Sequence, residues 1–565
     1  MKPNRDYFAN TDQHKTLLHA FVALEGTSDI GVTCTNVRGD DSAFSWSSLV
    51  ERARKRATWL QENANINPYQ TIGLALPNDT SFIECLFACW MLGGIPVPLA
   101  RPGLFGPQTL ERTRHIIKDA GLKHILYVEE DLKHFTALDE AVELILPAPT
   151  DDCEPFLFSS ERFPCSPSEP GLIQYTSGST SRPRGVVLTH DNLAQNCHHI
   201  TVEHTFGPRE SFTSWLPFYH DMGLIAELLT TVYQGLPFFL MEPMAFLQDP
   251  FSWLSVISRH QCTMTHVPNF ALAHCVKRAT DEQLSKLDLR CLRGLFLGAE
   301  PIDHRIVKAF IQRFKSAGLD PQAVSSAYGL AEFTVGATRG APMQGLHFDT
   351  VDREQLAQGK ATPADSNSKE TKSIASVGKV IYGHQIMVAN TQGQALQNRE
   401  VGEIWLSGPS IMKGYWENNA ATAEVLIERD GQTWLKTGDL GYLVGEALYI
   451  CGRLKEVLII RGKNYHPEDI ERTAEQVEGI RPGQTVAFSI PGEASEQIVL
   501  VCETTEPESS YQALAQQLKS LINTQLGLKL QHVELQPPRT IPKTTSGKRQ
   551  RRLVRRFWMK MRGLT

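Results

Sequence analysis

Tyr175-Thr-Ser-Gly-Ser-Thr-Ser-Arg-Pro-Arg-Gly185 decides how the rest of this sequence is read. It lies between the apolar Leu172-Ile173 and the strand-like Val186-Val187-Leu188, so the chain enters and leaves it extended and crosses between the two in a loop. Glycines such as Gly178 let backbone amides approach an anion closely, Thr176, Ser177, Ser179 and Thr180 add hydroxyl donors, and Arg184 offers a charged fork. A polyphosphate fits such a loop. It is not the Gly-x-x-x-x-Gly-Lys-Ser/Thr loop, because neither that spacing nor the strand-loop-helix context is present. A flexible surface hairpin is the bland alternative, and the other segments weigh against it.

Working outward, amphipathic helical stretches such as 46–62 alternate with short apolar runs at 71–76, 124–128 and 213–216, which is the rhythm of an α/β protein. Further strands are predicted at 294–297, 403–407 and 447–450, and helices opening on an Asp cap at 191–199 and 303–317. Two stretches break the rhythm. Residues 340–375 are polar and turn-rich and read as an insertion. After Cys451-Gly452, the run Arg453-Leu454-Lys455 leads into a compact unit with its own strands at 457–460, 485–489 and 498–502 and helices at 467–476 and 510–525. A chain of 565 residues is too long for one hydrophobic core, and the expected division is 1–453 and 454–565.

Composition narrows the classes of function. A formal charge of -6 over 565 residues argues against a surface built to hold nucleic acid. The C-terminus is the exception, with Arg539, Lys543, Lys548, Arg549, Arg551, Arg552, Arg555, Arg556, Lys560 and Arg562 meeting no acid after Glu534. The 11 cysteines are scattered, with no dense disulfide pattern and no secretory leader, which suits free thiols in a reducing, cytoplasmic setting. Cys85 with Cys89, and Cys197-His198-His199, lack a second half at zinc spacing and read as core. The apolar run 82–100 carries Glu84, Gly93-Gly94, Pro96 and Pro98, so a buried helix running into a buried strand is expected there rather than a membrane span.

Five further segments carry chemistry: Ser214-Trp-Leu-Pro-Phe-Tyr-His-Asp-Met-Gly-Leu-Ile225, Gly298-Ala-Glu-Pro301, Ala327-Tyr-Gly-Leu-Ala-Glu332, Trp434-Leu-Lys-Thr-Gly-Asp-Leu-Gly441 and Pro542-Lys-Thr-Thr-Ser-Gly-Lys548. In this order, and over about residues 40 to 552, they resemble the adenylate-forming superfamily of acyl-CoA synthetases, nonribosomal adenylation domains and luciferases. The resemblance implies a large N-terminal multi-sheet α/β domain with a small mobile α+β C-terminal domain. It implies ATP and Mg²⁺ as cofactors, bound by Thr176 to Thr180, by Gly298, Ala299 and Glu300, and by Ala327, Tyr328 and Gly329. Tyr328 stacks on the purine, and Glu332 with Thr180 holds the metal. Asp439 takes the ribose hydroxyls, Arg453 is a second nucleotide contact, Lys455 marks the interdomain hinge, and His220 borders the acyl carboxylate. Lys548 is the implied catalytic cation, joined by Arg184, which stands where many relatives have Lys.

Within that superfamily the wording of the motifs, with Arg461-Gly-Lys-Asn-Tyr-His-Pro-Glu-Asp-Ile-Glu471 among them, is similar to the fatty acyl-AMP ligases. So is the position of the 340–375 segment, which in that family is thought to restrict the C-terminal domain and disfavour CoA. Pro268-Asn-Phe270 resembles the segment lining the acyl tunnel, which places Trp215, Met222, Asn269 and Phe270 against the substrate. The implied reaction turns a medium- to long-chain fatty acid into acyl-AMP and then acylates the phosphopantetheine of an acyl carrier protein, polyketide synthase or peptide synthetase in trans. The basic C-terminus offers a dock for an acidic carrier, or is simply a solvated helix face. An acyl-CoA synthetase is the nearest rival. A non-enzymatic nucleotide binder is a weaker one, since Thr180, Glu332, Asp439, Arg453 and Lys548 are all retained.

Overall fold

The computed structural model describes residues 16–26, 30–102, 107–138, 142–158, 164–176, 183–202, 210–365, 371–460, 463–492, 496–544 and 547–564. Its largest sheet has nine strands. From edge to edge they are Lys379–Val380, Thr338–Arg339, Val324–Tyr328, Gly294–Gly298, Met264–Pro268, Phe212–Ser214, Phe238–Met241, Gly31–Thr35 and Asp41–Ser45. The strands from Val324–Tyr328 to Gly31–Thr35 run parallel, and antiparallel strands close both edges. Gly294–Gly298 is buried at every residue, which is why it reads as an unbroken apolar run rather than as an alternation; Met264–Pro268 is equally buried although it carries Thr265 and His266. In an open parallel sheet the carboxyl ends of the strands border the ligand crevice, and here those ends deliver the segment leading to His220, then Pro268-Asn269-Phe270, Gly298-Ala299-Glu300 and Tyr328.

A second, parallel four-stranded sheet carries Ile95–Pro98, Thr71–Leu74, His124–Leu126 and Glu143–Ile145. Its helices are set by local chemistry. In Trp46–Ala64, Ser45 accepts the amide of Ser48, and Trp46, Leu49, Val50, Ala53, Ala57 and Leu60 form the buried stripe. That stripe meets helix Thr80–Met91, capped by Asp79 and buried on all sides. The chain then turns at Gly93, φ +73°, into the strand Ile95–Pro98, the helix-to-strand passage expected of 82–100. Among the described residues no helix is long and apolar enough to cross a membrane.

One helix start and one segment differ from the sequence reading. The helix expected to open on Asp191 begins at His190 and runs to Val202. Thr189 and Asn192 exchange reciprocal hydrogen bonds of 3.0 Å, backbone to side chain in both directions, and this box starts the helix one turn-position early, leaving Asp191 inside the first turn. Asp303 does cap the helix His304–Phe314, accepting the amide of Arg305 at 2.9 Å. Residues 340–375 are more regular than their polar composition suggests. Strands Phe348–Asp352 and Thr371–Ala375 form a hairpin with the short helix Arg353–Ala357 between them, anchored where Asp349 takes Arg399 at 3.0 Å and the hydroxyl of Tyr442 at 2.9 Å.

The C-terminal residues have their own cores. The sheet of Ile480–Ile490, Gln497–Thr504 and Leu530–Gln536 buries Ile470, Leu500, Leu518 and Ile522 under helices Pro467–Ala474 and Tyr511–Leu526. Its other face buries Val486, Phe488, Val499, Val554 and Trp558 under helix Arg551–Met561. Much of the basic tail is spent internally: Arg551 pairs with Glu456, Glu468 and Glu471, Arg549 with Glu471 and Glu475, and Arg562 with Glu534. Two ion pairs tie this unit to the 340–375 hairpin, Lys372 to Asp469 at 2.8 Å and Lys463 to Glu354 at 2.5 Å.

Candidate active site

One cavity of about 1630 Å³ opens at the carboxyl ends of the parallel strands, between them and the C-terminal unit. Every described candidate residue except Trp215 and Asn269 lines it. Trp215 is buried instead, stacked on Phe246 at 3.8 Å and edge-on to Phe270 at 6.0 Å, and Asn269 accepts the amide of Asp303. These two support the wall from behind, while Phe270 and Met222 face the cavity. Ser177, Gly178, Ser179 and Thr180 lie outside the described residues. The root of their loop is closed by the amide of Thr176 donating to the Arg184 carbonyl at 3.0 Å.

Asp439 is the most fully coordinated acid of the site. It sits in the strand Gln432–Val444 directly opposite Arg453 of Ala447–Arg453. Its Oδ1 lies 3.0 Å from Arg453 Nε, and its Oδ2 accepts the Tyr328 hydroxyl at 2.7 Å. Each oxygen keeps a further acceptor position for a ligand hydroxyl. Burial and the neighbouring Asp439 raise the pKa of Tyr328, so its proton stays on and the ring is tethered. Asp439 is also the main cause of the raised pKa of Arg453.

Glu332 lies just past Tyr328 in the short 3₁₀ turn Ala331–Phe333. Its Oε1 accepts the Tyr415 hydroxyl at 2.8 Å, and the guanidinium of Arg184 rests 5.1 Å above the Tyr415 ring. Burial raises the Glu332 pKa, while a backbone amide, Tyr415 and Arg453 pull it back. Among the described residues there is no group of three or more His, Cys, Asp or Glu side chains that could hold a metal. A lone carboxylate beside a phosphate site suits Mg²⁺, which is bound through one or two carboxylates, phosphates and water. Glu332, which lines the cavity beside Arg184 and Tyr328, fits that role.

His220 and Asp221 open the wide-turned π-helix Met222–Leu229, a geometry that recurs at functional sites. His220 Nδ1 and Asp221 Oδ1 are 2.7 Å apart. Burial pushes the Asp221 carboxyl up, but His220 and Lys548 outweigh it and leave its pKa below the usual value. Glu300 accepts the amide of Phe270 at 2.6 Å. Lys548 ends a tight turn in which the amide of Thr544 donates to its carbonyl at 2.7 Å and Gly547 takes φ +80°. Burial and Arg453 lower the pKa of its ammonium, opposed by Asp221, Glu300 and Asp439. The basic turn from the small unit thus reaches the acids of the large one.

Three contributors were not among the residues expected from the sequence. Arg112 donates to the carbonyls of Tyr175 and Thr176 at 3.3 and 3.0 Å and pins the loop root, and burial lowers its pKa to about 10. Tyr415 and Asp221 are the others. Asp221 stood inside a quoted motif, next to His220, and that adjacency was the available signal.

The model of the AMP-binding enzyme family matches residues 24–416. The chain belongs to this family. Other members are similar over nearly its full length. A medium-chain-fatty-acid–[acyl-carrier-protein] ligase, JamA of Moorena producens, is 33% identical over 537 residues, 91% of this chain and 89% of the relative. A structure from work on the fatty acyl-adenylate ligases of E. coli and L. pneumophila superposes with a TM-score of 0.88 at 31% identity, covering 97% of this chain and 98% of that one. A fatty acyl-adenylate ligase from L. pneumophila in complex with acyl adenylate and pyrophosphate gives a TM-score of 0.75 at 28% identity, with 97% of each chain covered.

Proposed function

We propose that the protein activates a fatty acid with ATP to give acyl-AMP and pyrophosphate, then passes the acyl group to the phosphopantetheine thiol of an acyl carrier protein or synthase acting in trans. The observation that carries this reading is the meeting of Lys548 with Asp439, Glu300 and Asp221 in one cavity. In the reaction a carboxylate oxygen attacks the α-phosphorus in line, a new P–O bond forms, and the bond to the bridging oxygen breaks as pyrophosphate leaves. Two anions must approach, so the site has to supply positive charge and alignment.

Lys548 would lie between the carboxylate and the α-phosphate, with Asp221, Glu300 and Asp439 opposing the effect of burial on its ammonium. Tyr328 and Asp439 would fix the nucleoside, and Arg184 with the loop donors would hold the phosphates. Mg²⁺, when bound at Glu332, would neutralise phosphate charge. His220, set by Asp221, would border the acyl carboxylate. A cytoplasmic setting suits the 11 free cysteines.

Lys548→Ala is expected to cut acid-dependent exchange of pyrophosphate into ATP by at least about 10²-fold, the scale of losing one electrostatic stabiliser, with the melting temperature unchanged. Near-normal exchange in that variant would reject the role. Acyl-CoA formation is the second reading, favoured only if the wild-type protein, given CoA, releases thioester as fast as it forms adenylate.

A further inference from the structure

In the wall of the same cavity, with His266 facing it, lies a polar pair that adenylation does not use. Glu227, on the π-helix and fully buried, accepts the backbone amide of His266 at 2.6 Å, and the same oxygen lies 3.0 Å from His266 Nδ1. The imidazole is held between Phe212 and Phe296, at 6.4 and 5.1 Å and nearly parallel to both, and the guanidinium of Arg339 stacks on Phe296 at 3.5 Å. Burial raises the Glu227 pKa well above the usual carboxylate value, opposed by the His266 amide and by Arg339. The oxygen that faces Nδ1 already accepts the His266 amide, so it serves as an acceptor whether the carboxyl is neutral or charged; the ring proton then sits on Nδ1, which makes Nε2 a lone-pair acceptor.

His266 lines the cavity, whose wall also carries the apolar Ala226, Ile200, Val335 and Ile381. Its Nε2 has no hydrogen-bond partner among the described residues. A tail made only of methylenes would dehydrate that nitrogen and return nothing to it. We infer that the pocket selects a carboxylic acid whose tail carries a hydroxyl group, the hydroxyl donating to His266 Nε2 while Glu227 fixes the ring. The inference rests on the adenylating reading above and names the substrate class of that site.

The test is pyrophosphate exchange with dodecanoic acid and with a panel of dodecanoic acids bearing one hydroxyl at successive carbons. For the wild-type protein, one positional isomer is expected to exceed the unsubstituted acid by about tenfold or more in kcat/KM. His266→Phe keeps a ring in the stack and removes the acceptor. It should bring that ratio to about one while leaving the unsubstituted acid as good a substrate as before. His266→Gln returns an acceptor near the position of Nε2 and should restore part of the preference; it also carries the test if the Phe variant melts early. A wild-type protein indifferent to the hydroxyl, or a preference that survives His266→Phe, overturns the inference and leaves adenylation standing. Absence of exchange with every acid would instead overturn the reading on which it rests.

Discussion

Glu332 is held in the cavity wall by Tyr415, 83 positions further along the chain, whose hydroxyl donates to one carboxylate oxygen at 2.8 Å. That hydrogen bond favours the ionised carboxylate and opposes the upward pull of burial. Tyr415→Phe removes it, so the Glu332 pKa must rise further. A carboxylate whose pKa rises loses its charge sooner as pH falls. The acid limb of the pH profile for pyrophosphate exchange is therefore expected to move to higher pH in the variant, with the alkaline limb unchanged; coincident acid limbs would remove Glu332 from the ionisations that matter. The same pair shows what a linear reading can see. Tyr328, Glu332 and Asp439 sit in short runs whose residue order survives as a pattern. Tyr415 and Arg112 reach the site from segments with no such pattern, and only packing brings them there.

At the scale of elements, the loop from Tyr328 to Gly336 is the most constrained backbone near the site. Thr334 has φ +65° and ψ -67°, a conformation rare for a β-branched residue and costly by about 1–3 kcal/mol. The amide of Val335 donates to the Phe333 carbonyl at 2.8 Å, closing a three-residue turn, and the Thr334 hydroxyl donates to the Ser410 carbonyl at 2.8 Å. This tight turn brings the Val335 carbonyl against Gly329, where a Cβ would stand 1.5 Å from its oxygen. Gly329→Ala must push the two backbone segments apart. A loss of roughly 2–4 kcal/mol in denaturant unfolding is expected, together with loss of exchange, since Tyr328 and Glu332 flank the displaced segment. A variant of wild-type stability and activity would mean that the loop is looser than its contacts imply.

The elements themselves were readable to different depths. Buried parallel strands such as Gly294–Gly298 announce themselves by an unbroken apolar run, and Asp303 announces the start of a helix. Thr189 hid its capping role because Asp191, a stronger-looking cap, stands two residues on. The hairpin of Phe348–Asp352 with Thr371–Ala375 hid because its side chains are largely half-exposed, so apolar patterning, the main signal of strands, is weak there. What holds this hairpin in place is a small buried cluster, Val351, Leu356 and Ile374 packed with Tyr442, Tyr449 and Cys451, together with the contacts of Asp349 to Arg399 and the Tyr442 hydroxyl.

On the scale of the whole molecule, that hairpin sets the position of the small unit. Lys372 with Asp469 and Lys463 with Glu354 fasten the C-terminal unit in the pose that brings Lys548 to the acids of the cavity. The two pairs differ in worth: Lys372 and Asp469 are 11% and 18% exposed, Lys463 and Glu354 41% and 57%. The exposed pair contributes about 0.2–1 kcal/mol, and the more sheltered one about 1–3 kcal/mol, as for a hydrogen bond between charged groups. Lys372→Ala with Lys463→Ala should therefore free the small unit without unfolding either core. Two consequences are expected together: pyrophosphate exchange falls about tenfold, and proteolysis near Leu454 to Glu456 quickens. Lys372→Ala alone should produce most of this change and Lys463→Ala little of it. If the double variant exchanges pyrophosphate and resists protease like the wild-type protein, the closed pose is held by the cavity itself, through Lys548 and its acids, and the hairpin is only an ornament on the large domain.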